Sequence, residues 1–211
     1  MASDNQPETT RRSLLMREAR ALRELPRLAV RSRDLMKAPR GNAAVMVIPG
    51  FSTNDTVMAP MRTFLKRRGH NVWGWGLGTN RGEVRRVLPG FIDEVERRYQ
   101  QHGQPIVLVG WSLGGVFARE TARRRPEMVS RVITMATPIH SIHHDPTSAD
   151  RRIEQPITAF YSRHDGVVDW RNSIDDVNPD VVTIEVASSH LGITLDPTVW
   201  LETAARLAEH D

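Results

Sequence analysis

Six short runs rich in aliphatic and β-branched residues set the strongest limit on what this chain can fold into. They read "AAVMVI" (43–48), "NVWGW" (71–75), "PIVLV" (105–109), "RVITMA" (131–136), "ITAFYS" (157–162) and "VVTIEV" (181–186). Several are apolar at every position, as a strand must be when helices cover both of its faces. Helix-length stretches lie between them at roughly 57–68, 83–101, 113–124 and 197–209, with Pro89 inside the second. Strand and helix alternating at this spacing predict βαβ units with right-handed crossovers. The expectation is an α/β fold: a mostly parallel sheet of about six strands with helices on both faces. At 211 residues the chain suits one such domain.

The first forty residues have a different rhythm. Residues 13–37 predict an amphipathic helix, with Leu15, Ala19, Leu22 and Leu25 near helical spacing, and Pro26 is expected to kink or split it. Residues 11–40 carry ten basic residues against three acidic ones. This divides the chain into a basic N-terminal helical extension, 1–40, and an α/β unit, 41–211. A helix laid against the domain is the plainer reading of the extension; docking on a membrane surface or a partner through residues 13–37 is the sharper one.

Charge elsewhere excludes more than it suggests. The net charge is only +4, and 27 of the 29 basic residues are arginines, spread widely and interleaved with acids. Nucleic-acid binding would gather them on one face among aromatics, so no nucleic-acid partner is expected. "TTRRSLLM" is followed by Arg- and Glu-rich sequence where an export signal needs an apolar run. No apolar run approaches the ~18 residues of a membrane span. With no cysteine in the chain, a cytoplasmic location is expected.

The chemistry is concentrated in "VLVGWSLGGVFARE" (107–120), where G-x-S-x-G joins a predicted strand to a predicted helix. That context is what a nucleophile elbow requires. A serine in so tight a turn needs glycines beside it, because other side chains would collide with the backbone. The turn lifts the Ser112 hydroxyl above the sheet edge and aims the Leu113 N–H at any oxyanion formed there.

On these residues the chain, over roughly 43–209, resembles the α/β-hydrolase superfamily, and within it the small bacterial lipases and esterases. The resemblance implies a nucleophile, an acid and a histidine in that order, each after its own strand. "YSRHDGVVDW" offers Asp165 and Asp169; Asp165, beside Gly166 just past a strand, resembles the family's acid and is preferred. "ASSHLGIT" resembles its histidine loop and makes His190 the base. "VIPGFSTND" resembles the His-Gly-x oxyanion loop, with Pro49 where many members have His, and makes the Phe51 N–H the second donor.

Three tryptophans, Trp73, Trp75 and Trp111, are candidates for a substrate wall; for Trp73 and Trp75 ordinary core packing is the alternative. The cluster His140, His143, His144 and Asp145 falls where hydrolases carry a lid. It is read as a short polar lid loop rather than a metal site. His70 and His102 precede strands and are expected to be solvated, and His164 to point away from the site.

These readings converge on a serine hydrolase cleaving a small-molecule carboxylic ester through Ser112, His190 and Asp165, with no cofactor and no metal. An acyltransferase on the same three residues is one alternative. A non-catalytic hydrolase-fold protein that docks through its basic N-terminal segment is the other.

Overall fold

The computed structural model describes residues 24–139, 152–178 and 180–209. Its strands are β1 (Ala44–Ile48), β2 (Asn71–Gly74), β3 (Ile106–Trp111), β4 (Val129–Met135), β5 (Ile157–Tyr161) and β6 (Val181–Glu185). They form one sheet in the order β2-β1-β3-β4-β5-β6, and every neighbouring pair is parallel. Each predicted strand is present, shifted by two residues at most. The helices are α1 (Glu24–Val30), α2 (Ser32–Lys37), α3 (Ala59–Arg67), α4 (Val84–His102), α5 (Leu113–Arg124) and α6 (Pro197–Ala208).

Strand alternation sorts the core into two layers. Val45 and Val47 of β1 join Val107 and Val109 of β3 beneath Met61 and Leu65 of α3 and Val199, Ala204 and Leu207 of α6. Met46, Ile48 and Leu108 face the other way, onto Leu88, Phe91 and Val95 of α4 and Val116 and Phe117 of α5. All of β1 and β3 is buried, whereas Val182, Thr183 and Glu185 of the edge strand β6 are exposed. The strand order reverses between β1 and β3. In open parallel sheets that reversal opens a crevice beyond the carboxyl ends of the strands.

Three details depart from the sequence reading. The helical break predicted at Pro26 falls at Arg31, and α1 runs through the proline. A proline disturbs the turn preceding it, which here lies outside the described residues. His70 is buried, not solvated, because it closes a short connection packed between α3 and β2 and donates its N–H to the Leu65 carbonyl (3.3 Å). His102 is half-buried with its ring edge-on to Trp73 at 5.6 Å.

Among the described residues no helix is long and apolar enough to cross a membrane. Leu28 and Leu35 of the N-terminal pair pack against the α3–α6 layer. Inside the opposite layer, Arg119 of α5 reaches Asp175 at 2.6 Å, with side-chain exposures of 3% and 0%. Burial alone would raise the Asp175 carboxyl; the guanidinium beside it, with help from Asn178, holds it below the usual range.

Candidate active site

β3 ends at Trp111, and Ser112 follows with φ 53° and ψ −123°, a conformation that costs a residue bearing a Cβ about 1–3 kcal/mol. The surroundings hold it there: the Ser112 N–H donates to the Met135 carbonyl of β4 (2.8 Å), and the Gly115 N–H donates to the Ser112 carbonyl (3.0 Å). A side chain at Gly110 would overlap the Gly114 backbone, and one at Gly114 would overlap the Ile48 carbonyl. The glycines let the first turn of α5 sit directly on the ends of β1 and β3. The Leu113 N–H is in that first turn, where no intrahelical acceptor exists.

The segments carrying Asp165 and His190 follow β5 and β6 and meet. His190 Nδ1 lies 2.7 Å from Asp165 Oδ2, with side-chain exposures of 8% and 2%. Asp165 Oδ1 accepts the N–H groups of Val167 and Val168, each at 2.8 Å, so the carboxylate is fixed by its own turn. Asp169 does not share the pairing; it is exposed and caps a short helical turn by accepting the Arg171 N–H (3.0 Å). His164 is exposed.

Trp111 joins the two halves of the site. Its Nε1 donates to the His190 carbonyl (2.9 Å), and its ring lies 5.4 Å from the imidazole, tilted by 42°. A Cβ built on Gly50 would come within 2.9 Å of the Trp111 ring and 3.1 Å of Ser112 Cβ, so the loop after β1 touches the elbow directly. Thus Trp111, one residue before the candidate nucleophile, packs against both the candidate base and the candidate oxyanion loop.

That loop has a support the sequence did not announce. Asn80, fully buried, donates from Nδ2 to the Pro49 carbonyl (2.9 Å) and from its backbone to the Thr53 carbonyl (2.8 Å). Its own carbonyl accepts the Ser52 N–H (2.7 Å), and its Oδ1 accepts the Gly82 N–H (3.2 Å). An asparagine among glycines carries no pattern that distinguishes a clamp from a turn residue. Asp55 does a similar service one layer out, accepting the Trp75 and Gly76 N–H groups at 3.0 and 3.2 Å.

The other two tryptophans are placed differently from Trp111. Trp75 is 1% exposed and packs with Phe91 and Phe117 in the core, at ring distances of 6.4 and 5.8 Å. The Arg98 guanidinium lies over the Trp73 ring at 5.2 Å, and His102 meets that ring edge-on. Phe51 is 61% exposed, its ring against Gly82. Just beyond lies a groove of about 340 Å³, bounded in part by Trp75, Leu77 and Arg81.

On the other flank, the Tyr161 hydroxyl donates to Glu185 (2.9 Å), which raises the phenol and lowers the carboxyl. The cluster from His140 to Asp145 lies outside the described residues, and among the described residues no three metal-ligating side chains converge.

This architecture has solved counterparts. A metagenome-derived lipolytic enzyme superposes with a TM-score of 0.64 at 15% identity, over 82% of this chain and 96% of that one. Aspergillus fumigatus lipase B superposes equally well, 0.64 at 13% identity, over 80% of this chain and 52% of that one. The chain has the α/β-hydrolase fold.

No protein-family model matches the chain. The biotin biosynthesis bifunctional protein BioHC of Teredinibacter turnerae is 40% identical over 72 residues, 29% of this chain and 13% of that protein. The chain thus spans only a small part of that relative's length. Within the α/β-hydrolase fold, Ser112 occupies the turn after β3, at the carboxyl end of the sheet where the strand order reverses between β1 and β3.

Proposed function

We propose that this α/β-hydrolase is a serine hydrolase of small carboxylic esters. The observation that carries the reading is the Asp165–His190 pair, held at 2.7 Å and tied through Trp111 Nε1 to the end of β3, one residue before Ser112. Asp165 facing Nδ1 selects the tautomer that leaves Nε2 able to accept a proton. Ser112 Oγ attacks the ester carbonyl while His190 takes its proton; the imidazolium is stabilised by Asp165 and returns the proton to the departing alkoxide. Water, deprotonated by the same imidazole, then attacks the acyl-serine; the Ser112 Oγ–acyl bond breaks, the imidazolium returns the proton to Oγ and the acid is released. The N–H groups of Phe51 and Leu113 receive the oxyanion in both steps.

Support for hydrolysis as the chemistry comes from the fold, whose solved neighbours include lipolytic enzymes. Fluorophosphonate labelling with peptide mapping tests the reading: the reagent is expected on Ser112, and Ser112→Ala is expected to abolish labelling. The same substitution is expected to lower kcat on p-nitrophenyl esters by about 10⁴-fold or more. Near-full turnover by Ser112→Ala would remove the proposal.

A further inference from the structure

The histidine loop is closed by a buried carboxylate. Asp196 is 0% exposed and lies six residues beyond His190, at the start of α6. Its Oδ1 accepts the Thr198 N–H (2.7 Å) and caps the helix. Its Oδ2 accepts the hydroxyl of Ser188, so the two ends of segment 188–196 are fastened together with His190 between them. Inside the segment, the Ile193 N–H donates to the Ser189 carbonyl (3.0 Å) and Trp200 Nε1 donates to the Thr194 carbonyl (2.9 Å).

The cation facing Asp196 comes from outside the sheet-and-helix domain. Arg27 Nη1 of α1 stands 3.5 Å from Asp196 Oδ2. α1 packs on the short helical turn Gly192–Leu195, and Leu28, the next residue, reaches the core. A carboxylate with no exposure is costly without a charge partner, and Arg27 supplies one.

We propose that Arg27 is a positioning residue for the candidate base: through Asp196 and Ser188 it fixes the loop that presents His190 to Ser112. The N-terminal helical pair is then a working part of the active site although it contributes no group to it. This rests on the reading of Ser112, His190 and Asp165 given above.

The test uses the full-length protein with Arg27→Ala, Arg27→Lys, Asp196→Asn, the Arg27→Ala/Asp196→Asn double variant and Arg33→Ala. The last removes an exposed arginine from α2 as a charge control. Asparagine at 196 keeps an acceptor for the Thr198 cap and loses the charge. Rates are measured well below each variant's Tm. Arg27→Ala and Asp196→Asn are each expected to lower kcat about tenfold with KM little changed, because slight misplacement of a base costs the reacting state. Arg27→Lys recovers part of the loss, Arg33→Ala matches wild type, and the double variant is no worse than either single one.

Hydrogen exchange gives a readout independent of turnover: in Arg27→Ala the amides of Gly192, Ile193 and Thr194 exchange faster, while those of β1 and β3 do not. A kcat for Arg27→Ala within twofold of wild type, additive losses in the double variant, or unchanged exchange across 192–194 would each overturn the proposal. If wild type neither labels nor turns over esters, the hydrolase reading fails. Exchange at 192–194 then decides alone whether Arg27 holds the loop.

Discussion

Asp165 and Asp175 sit in closely similar turns and face different partners. Each offers Oδ1 to the N–H groups two and three residues ahead: Val167 and Val168 at 2.8 Å for the first, Val177 and Asn178 at 3.0 and 3.1 Å for the second. Each turns Oδ2 to a side chain from a distant part of the chain, His190 at 2.7 Å or Arg119 at 2.6 Å. The Oδ1 cradle is the same; at Oδ2 Asp175 also accepts the Asn178 amide (2.8 Å), and the distant partner differs in kind. An imidazole can accept and return a proton near neutral pH; a guanidinium keeps its charge throughout. On the proposed reading one carboxylate serves the reaction, while the other braces α5, the helix that begins beside Ser112.

Exchanging the charge for an isosteric amide separates the two roles most sharply at Asp165. Asp165→Asn is expected to lower kcat on p-nitrophenyl esters by about 10⁴-fold, since the amide favours the wrong imidazole tautomer. Its Oδ1 still accepts the two N–H groups of the turn, so the urea midpoint should barely move. A variant that kept its rate would make Asp165 a second structural carboxylate and dissolve the contrast.

The mirror experiment is Asp175→Asn. It leaves Arg119 buried with no opposite charge beside it at that position, and removing one partner of a buried pair costs about 3–5 kcal/mol. Urea unfolding should show that loss while kcat at 25 °C stays within about twofold of wild type.

Acid gives a second view of the same pair. The folded Asp175 carboxyl is held below its ordinary value, so its contribution to stability is full above the unfolded carboxyl's pKa of roughly 3.9. It is lost as pH falls further, through the folded value. The gap in unfolding free energy between wild type and Asp175→Asn should therefore be flat from pH 7 to about 5 and shrink below about 4. A gap that widened in acid would contradict the pairing.

The contrast also explains what could be read from sequence and what could not. Strands β1 and β3 are apolar at nearly every position, so their runs state both burial and parallel pairing. The elbow declares itself through glycines whose absence of Cβ the packing requires. The pairing of Asp165 with His190 could be anticipated because "YSRHDGVV" resembles a familiar segment, whereas "DDVN" at 175–178 forms a similar turn without such a resemblance. What distinguishes them is a partner 25 residues downstream in one case and 56 upstream in the other, and pairing at that range leaves no periodic trace. His70, Arg27 and Asn80 escaped for the same reason: their roles lie in tertiary contacts.

Asn80 supplies the smallest and most local test. It is buried like the two aspartates, but an uncharged amide suffices because its partners are the Pro49 carbonyl and the Gly82 N–H. Asn80→Ala removes both side-chain bonds and leaves those groups to find water or nothing, a cost of about 1–3 kcal/mol. The backbone links from residue 80 to Ser52 and Thr53 persist, so the loop should loosen without coming free. If Phe51 donates to the oxyanion, part of that cost falls on the reacting state, and kcat should drop about tenfold with KM nearly constant. Full kcat with a lowered Tm would limit Asn80 to bracing the fold and leave Leu113 as the better-supported donor.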